Sequence, residues 1–349
     1  MRTMIQANVD AFDNLKDQLL NFSGITSQTG RRYIATDSSE KEWLTETEIL
    51  DDLDILPNVK GIVLQFRNLK FICLIGFKIV NHTCEPSVLE EYSFNAGLMT
   101  LFIAEKHLKI NSTINFLEFS DNIMSQHLDK DYKGHNYEDF TNYLEPVQLF
   151  LINENLLIRD ENTHRIITYL YANSSENLIL KFKSPVLEII SEISLVGSKS
   201  ISYGLILSSL LSTNYKHSFL ELYRLVERLF PLNYLKVFYE KSMTQLSFLD
   251  FCTELENTTS WRPREDEAIQ KIFSSFKLST TDAFNNFFIS VNSEDQTSYK
   301  YFYKLRNSIV HFRANHEEFD LEENQWNLLI LATLTLIDEQ YSFYDDILK

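Results

Sequence analysis

The 349-residue chain contains few of the residues that break or cross-link secondary structure: 8 Gly, 6 Pro and 3 Cys. So few Gly and Pro exclude a collagen-like chain, a flexible linker and a loop-rich β-propeller. Three scattered cysteines cannot form a disulfide framework, and they favour a reducing compartment. No P-loop, G-x-G-x-x-G, H-E-x-x-H or G-x-S-x-G motif occurs. We therefore predict no cofactor and no metal.

The sequence also lacks a long uncharged apolar run. Asp10 and Asp13 lie in the N-terminal segment, which has no apolar core of the kind found in a signal peptide. The stretch Ile62–Val80 is interrupted by two lysines and an arginine, whereas a membrane span needs about 20 largely uncharged residues. We predict a soluble, cytoplasmic protein with no membrane partner.

Positive charge is scarce overall, with 32 Lys plus Arg against 49 Asp plus Glu, a net charge of −17. That balance excludes a general nucleic-acid coat protein, whose affinity comes from a broad basic surface. The deficit of positive charge is unevenly distributed along the sequence, however. The segment Tyr299–His316 contains four bases and no acid, and the next seven residues contain five acids. This basic segment leaves room for one local RNA site.

The chain is rich in apolar residues, because 44% of its residues are hydrophobic. This fraction predicts a substantial core. Residues 1–180 predict an α+β domain. A helix is expected over 7–22, closed by Gly24, and two strands are expected in 61–81 around an Arg67-Asn68 turn. Residues 86–106 fit either a helix or a strand. Further along we predict a strand over Ser112–Phe119, a helix over Tyr137–Leu157 and a hairpin turning at Asp160–Thr163.

Residues 181–349 predict an all-α bundle, which makes the chain predominantly helical overall. Apolar residues recur at helical spacing in six segments: 185–211, 217–240, 263–277, 280–291, 298–314 and 321–341. In the fifth segment one apolar stripe faces the core, and it comprises Phe302, Leu305, Ile309 and Phe312. On the opposite, exposed side Asn307 and His311 lie one turn apart.

An exposed Arg and His on one helix, among aromatics and bases, suit cleavage of a phosphodiester. Arginine stabilises the charge that develops on phosphorus, and histidine moves protons at neutral pH. The run from Arg306 through Asn307 to His311 resembles the R-x4–6-H signature of HEPN domains, including the polar residue after the arginine. The resemblance covers roughly residues 200–349, and a second Arg-x4-His match, Arg159–His164, encloses a turn without apolar filling.

The resemblance implies a HEPN-like helical bundle that works as a metal-independent endoribonuclease. Members of this family occur in antiphage defence, abortive infection and toxin systems, and active members pair two motifs in a homodimer. It further implies transesterification by the RNA 2′-OH, with His311 as general base or acid, Arg306 on the phosphate and Asn307 as an orienting group. Five side chains are then expected to bind RNA: Lys300, Lys304, Arg313, Tyr299 and Tyr303.

The family often adds a polar or acidic residue from an earlier helix, and Glu227 is the best match in this chain. The plainer alternative pairs Glu227 with Arg224 or Arg228. A trigger or regulatory protein is expected to act on residues 1–180. Two other functions stay open: an inactive HEPN-like module that holds RNA or a protein partner, and a winged-helix-like regulator built on residues 137–171. A third alternative makes His311 a plain surface histidine and pairs Arg306 with an acid of 317–323.

Overall fold

The protein is predominantly helical with one antiparallel sheet, and its contacts divide the chain into two compact units. The computed structural model describes residues 2–27, 32–125, 131–153, 162–292, 298–311 and 319–348. One unit is Met1–Ile79 with Cys84–Ile158, and the other is Val80–Thr83 with Arg159–Lys349. Sequence analysis placed the boundary later, after residue 180. Among the described helices, none has the length and apolar character needed to cross a bilayer.

The first unit is built on a five-stranded antiparallel sheet in the order β1-β2-β3-β5-β4. The strands are Glu48–Leu56 (β1), Val59–Phe66 (β2), Leu69–Ile75 (β3), Leu89–Tyr92 (β4) and Val147–Ile152 (β5). The predicted pair in 61–81 is confirmed as β2 and β3, which pair from Lys60↔Ile75 to Phe66↔Leu69. Arg67 takes the left-handed backbone conformation of the turn, with φ 57°.

The described part of this unit also contains five helices: Met4–Ser23, Ser38–Glu46, Ala96–Ala104, Phe116–Asn122 and Tyr137–Thr141. The predicted first helix is confirmed, and it ends at Gly24, whose left-handed φ of 72° lets its N–H donate to the Leu20 carbonyl. Residues 86–106 hold both alternatives, β4 and then the helix Ala96–Ala104. The strand β1 and the helix Ser38–Glu46 were not predicted.

Three predictions for this part of the chain were wrong. The segment predicted as a strand over Ser112–Phe119 leads into the helix Phe116–Asn122, because the Asn115 side chain accepts from the N–H groups of Leu117 and Glu118 and caps that helix. The helix predicted over Tyr137–Leu157 ends at Thr141, and the apolar run Val147–Ile152 instead pairs with β3 and β4. Pairing in the sheet overrides the local helical spacing there.

The second half of the predicted hairpin is a helix, Thr163–Ala172, capped by the Asn162 side chain, and the first half, 154–161, lies outside the described residues. This helix belongs to the second unit, although its residues were predicted to belong to the first domain. The described part of 137–171 contains the short helix Tyr137–Thr141, the strand Val147–Ile152 and this helix in place of the long helix and hairpin, so we abandon the winged-helix alternative.

The second unit is helical throughout its described residues. Its elements are Thr163–Ala172, the 3₁₀ turn Ser175–Asn177, Ser184–Val196, Tyr203–Leu210, Tyr215–Glu227, Leu232–Ser242, Phe248–Thr259, Glu265–Ser274, Leu278–Ser290, Ser298–Val310, Glu323–Phe343 and Asp345–Leu348. The six predicted helical segments are confirmed, with breaks at Gly197 and Pro231 that divide two of them. Phe248–Thr259 was missed, and only Phe248 of it is fully buried.

Two glycines of the first unit, Gly24 and Gly76, differ in how closely the neighbouring backbone packs against them. Both take left-handed φ angles, but a Cβ on Gly76 would lie 1.7 Å from the Asn58 carbonyl oxygen, whereas a Cβ on Gly24 meets nothing within 4 Å. We predict that Gly24→Ala lowers the free energy of unfolding by about 1–2 kcal/mol through backbone strain alone. Gly76→Ala should cost about 1–3 kcal/mol more, because the chain must also move. Urea unfolding of both variants checks this, and equal losses would contradict it.

Candidate functional site

The predicted motif lies on the helix Ser298–Val310, hereafter the motif helix. Phe302 and Leu305 are fully buried and Ile309 is half-buried, while Phe312 lies outside the described residues. The ring of Phe302 packs against aromatic rings of three neighbouring helices, at 5.3 Å from Tyr223, 5.4 Å from Phe219 and 5.6 Å from both Phe273 and Phe284. This cluster sets the rotation of the motif helix and so decides where its polar side chains point.

Arg306 points along the bundle surface toward two carboxylates and is largely covered. Its side chain is only 15% exposed, so it is not the exposed arginine that the cleavage hypothesis expected. Nη2 donates to Glu227 Oε1 at 2.6 Å, and Nη1 donates to Asn307 Oδ1 at 2.9 Å. Nη1 also lies 3.4 Å from Glu265 Oε2. The sequence placed Arg306, Asn307 and Glu227 in one site, and the structure brings all three together.

The partner of Glu227 decides between the two alternatives for this residue. Glu227 pairs with Arg306, while Arg224 pairs with Glu221 at 3.0 Å and Arg228 donates to the Ser200 carbonyl. The 2.6 Å contact is a charge-assisted hydrogen bond, and bonds of this kind contribute about 1.5–3 kcal/mol. Glu227 thus connects the helix Tyr215–Glu227 to the motif helix.

The guanidinium stays charged in this half-covered position. Burial alone lowers the pKa of Arg306, but the hydrogen bond that Arg306 donates to Glu227 and the negative charge of Glu265 outweigh burial and raise the pKa above its usual value. A permanent positive charge is therefore fixed at this point of the bundle.

Tyr223 forms the floor of the site. Its ring lies under the guanidinium, 5.4 Å from Arg306 Cζ, in a cation–π contact. The residue is 1% exposed, and within the described part of the chain its hydroxyl has no hydrogen-bond partner. Burial raises the pKa of Tyr223. A buried hydroxyl without a partner destabilises the fold.

His311 directly follows the motif helix. Its backbone N–H donates to the Asn307 carbonyl at 2.9 Å, which continues the helical hydrogen bonding by one residue, and the residue is exposed. Asn307 therefore stands between Arg306, which its side chain contacts, and His311, which its carbonyl holds. The predicted one-turn relation of Asn307 and His311 is present.

Four of the five predicted RNA-binding side chains lie on the motif helix, in different environments. Lys300 and Lys304 are exposed, Tyr299 and Tyr303 are half-buried, and Arg313 lies outside the described residues. Lys300 Nζ lies 5.9 Å from the centroid of the Tyr299 ring. Two exposed lysines on the motif helix are available to the backbone of a nucleic acid.

Sequence analysis missed Tyr223 and Glu265. Tyr223 precedes Glu227 by one helical turn, so its place below Arg306 followed in principle from the placement of Glu227. No local signal marked Glu265, because its contact depends on how the helix Glu265–Ser274 packs on the motif helix. In the described ranges, no three His, Cys, Asp or Glu side chains are grouped so that they could hold a metal ion.

In comparisons with known proteins, no family model, no curated protein sequence and no solved structure matches this chain. The chemistry of the site therefore has to follow from its own side chains. They comprise a fixed cation, an amide beside it, an exposed imidazole one turn further on and two exposed lysines. This set can bind an anion and move protons next to it.

The hydroxyl of Tyr223, which has no hydrogen-bond partner in the described chain, can be compared with that of a matched tyrosine. Tyr341 is equally buried, but its hydroxyl donates to the Leu225 carbonyl at 3.1 Å. We predict that Tyr341→Phe lowers the free energy of unfolding by about 1 kcal/mol, because a hydrogen bond is lost. Tyr223→Phe should leave it unchanged or raise it by up to about 1 kcal/mol. Denaturant titrations measure both, and an equal loss in Tyr223→Phe would show that its hydroxyl is satisfied.

Proposed function

We propose that the helical unit is a HEPN-like, metal-independent endoribonuclease. The observation that carries the proposal is the placement of Arg306: Glu227 of another helix holds it at 2.6 Å, and Asn307 links it to the exposed His311. An anchored arginine and a solvent-accessible imidazole on the same stretch of chain supply the two functions that cleavage of a phosphodiester needs, charge stabilisation and proton transfer.

In the proposed reaction the RNA 2′-oxygen attacks the adjacent phosphorus. His311 accepts the 2′-OH proton as general base, and the bond from phosphorus to the 5′-oxygen breaks. A protonated His311, of the same subunit or of a second one, donates the proton that this oxygen takes up. The products are a 2′,3′-cyclic phosphate and a 5′-hydroxyl. Arg306 N–H groups stabilise the charge on the non-bridging oxygens, and Lys300 and Lys304 guide the strand.

The partners of the proposed enzyme follow from the same mechanism. Two imidazoles at one phosphate would let one accept a proton while the other donates, so we propose a homodimer through the helical unit. A cytoplasmic ribonuclease harms its own cell unless controlled. We therefore assign the first unit to sensing a trigger or regulatory protein, in an antiphage defence, abortive-infection or toxin system.

One observation favours a second candidate function, a catalytically inactive module that holds RNA or a protein partner. Arg306 carries one positive charge and faces two carboxylates, Glu227 and Glu265. If both contacts persist when RNA is bound, the guanidinium contributes little to a phosphate, and the lysines alone bind the strand. RNA retention without cleavage distinguishes this module from the nuclease.

The proposal is tested with the full chain and a mixture of tRNA and mRNA, at neutral pH in EDTA. We expect fragments ending in 2′,3′-cyclic phosphate. His311→Ala should lower the cleavage rate at least about 100-fold, because general acid–base catalysis contributes about 10²–10⁴. His217→Ala is the matched control, since His217 is also an exposed histidine of this unit but lies at the start of the helix Tyr215–Glu227.

A growth assay supplies the second readout, because the cell provides its own RNA and triggers. Induced wild-type chain should slow growth, and His311→Ala or Arg306→Ala should relieve this. Cleavage by His311→Ala at the wild-type rate would overturn the role of His311. Unchanged toxicity in both variants would remove the ribonuclease class.

A further inference from the structure

Arg306 holds a contact that its anchoring does not require. Glu227 already supplies one carboxylate, yet Glu265 brings a second to Nη1 at 3.4 Å. One positive charge and two negative charges leave this part of the site with a net charge of −1. Such a site repels an approaching phosphate, which is opposite to what an RNA-binding arginine needs.

The two carboxylates hold Arg306 with different strength. The Glu227 contact is short and its side chain is 32% exposed, whereas the Glu265 contact is longer and that side chain is 41% exposed. Nη1 also donates to Asn307 at 2.9 Å, so Glu265 shares its nitrogen with a better-placed acceptor. An exposed ion pair of this length contributes little to stability. Glu265 is the carboxylate that can leave while Glu227 stays.

We propose that Glu265 occupies the phosphate position of the site, and that an RNA phosphodiester binds by displacing it. Glu227 keeps Arg306 in place, and one non-bridging oxygen takes the position of Glu265 on Nη1. This inference rests on the proposed function and deepens it, because it makes Glu265 a competitor for the substrate. Because Glu265 competes with the phosphate, the protein binds RNA more weakly than it would without this carboxylate.

The test is a binding titration with the full chain. The probe is a short, fluorescent 2′-O-methyl oligoribonucleotide, which has no attacking 2′-OH, so that binding is separated from cleavage. Glu265→Gln keeps the shape of the side chain and removes the competing charge. Glu267→Gln is the matched control, because Glu267 is in the same helical turn but pairs with Arg264 at 3.0 Å. Both variants change the total charge equally.

We expect Glu265→Gln to bind the probe about two- to five-fold more tightly than Glu267→Gln, the range that matches an exposed ion pair. The gain should vanish in an Arg306→Ala background. Equal affinities for Glu265→Gln and Glu267→Gln would overturn the inference, as would a gain that survives Arg306→Ala.

The failure of this inference is distinguishable from that of the proposed function. If cleavage depends on His311 but Glu265→Gln binds the probe no more tightly than Glu267→Gln, Glu265 is not a competitor and the nuclease proposal stands. If Glu265→Gln gives an Arg306-dependent gain in binding but no RNA is cleaved, the phosphate position stands and the inactive module is favoured. No binding of the probe by any variant overturns both.

Discussion

The ion pair between Arg306 and Glu227 is the interaction on which the helical unit's site depends. A guanidinium that is only 15% exposed is stable only if a carboxylate and further acceptors accompany it. Glu227 and Asn307 meet that need, and Tyr223 supports the guanidinium from below. Because Glu227 and Tyr223 come from one helix and Arg306 from another, the pair also fixes how these two helices pack around Phe302.

The same constraint shapes the chemistry. A carboxylate that holds an arginine also neutralises it, so the best-anchored cation is a poor phosphate ligand unless part of its surface stays accessible. The proposed displacement assigns the anchoring contact to Glu227 and the exchangeable contact to Glu265.

Sequence patterns predicted the fold where one local signal acted without competition. The first helix and the motif helix follow from their apolar spacing, and β2 and β3 from their Ile- and Val-rich runs. One prediction failed because distant parts of the chain determine the structure: Val147–Ile152 is a strand because β3 and β4 pair with it. Another failed on a local signal, since the Asn115 side chain caps a helix where β-type residues suggested a strand. In the site, helical geometry located Asn307 and Glu227. The expected exposure of Arg306 was wrong and Glu265 was missed, because helix packing determines both.

The most direct test of this account is a crystal structure of the full chain with a bound 2′-O-methyl oligoribonucleotide. The account predicts that a phosphate oxygen lies within hydrogen-bond distance of Arg306, with the Glu227 contact retained, Glu265 displaced and the His311 ring beside the adjacent ribose. An oligoribonucleotide bound elsewhere, with Arg306 still held between Glu227 and Glu265, would contradict it.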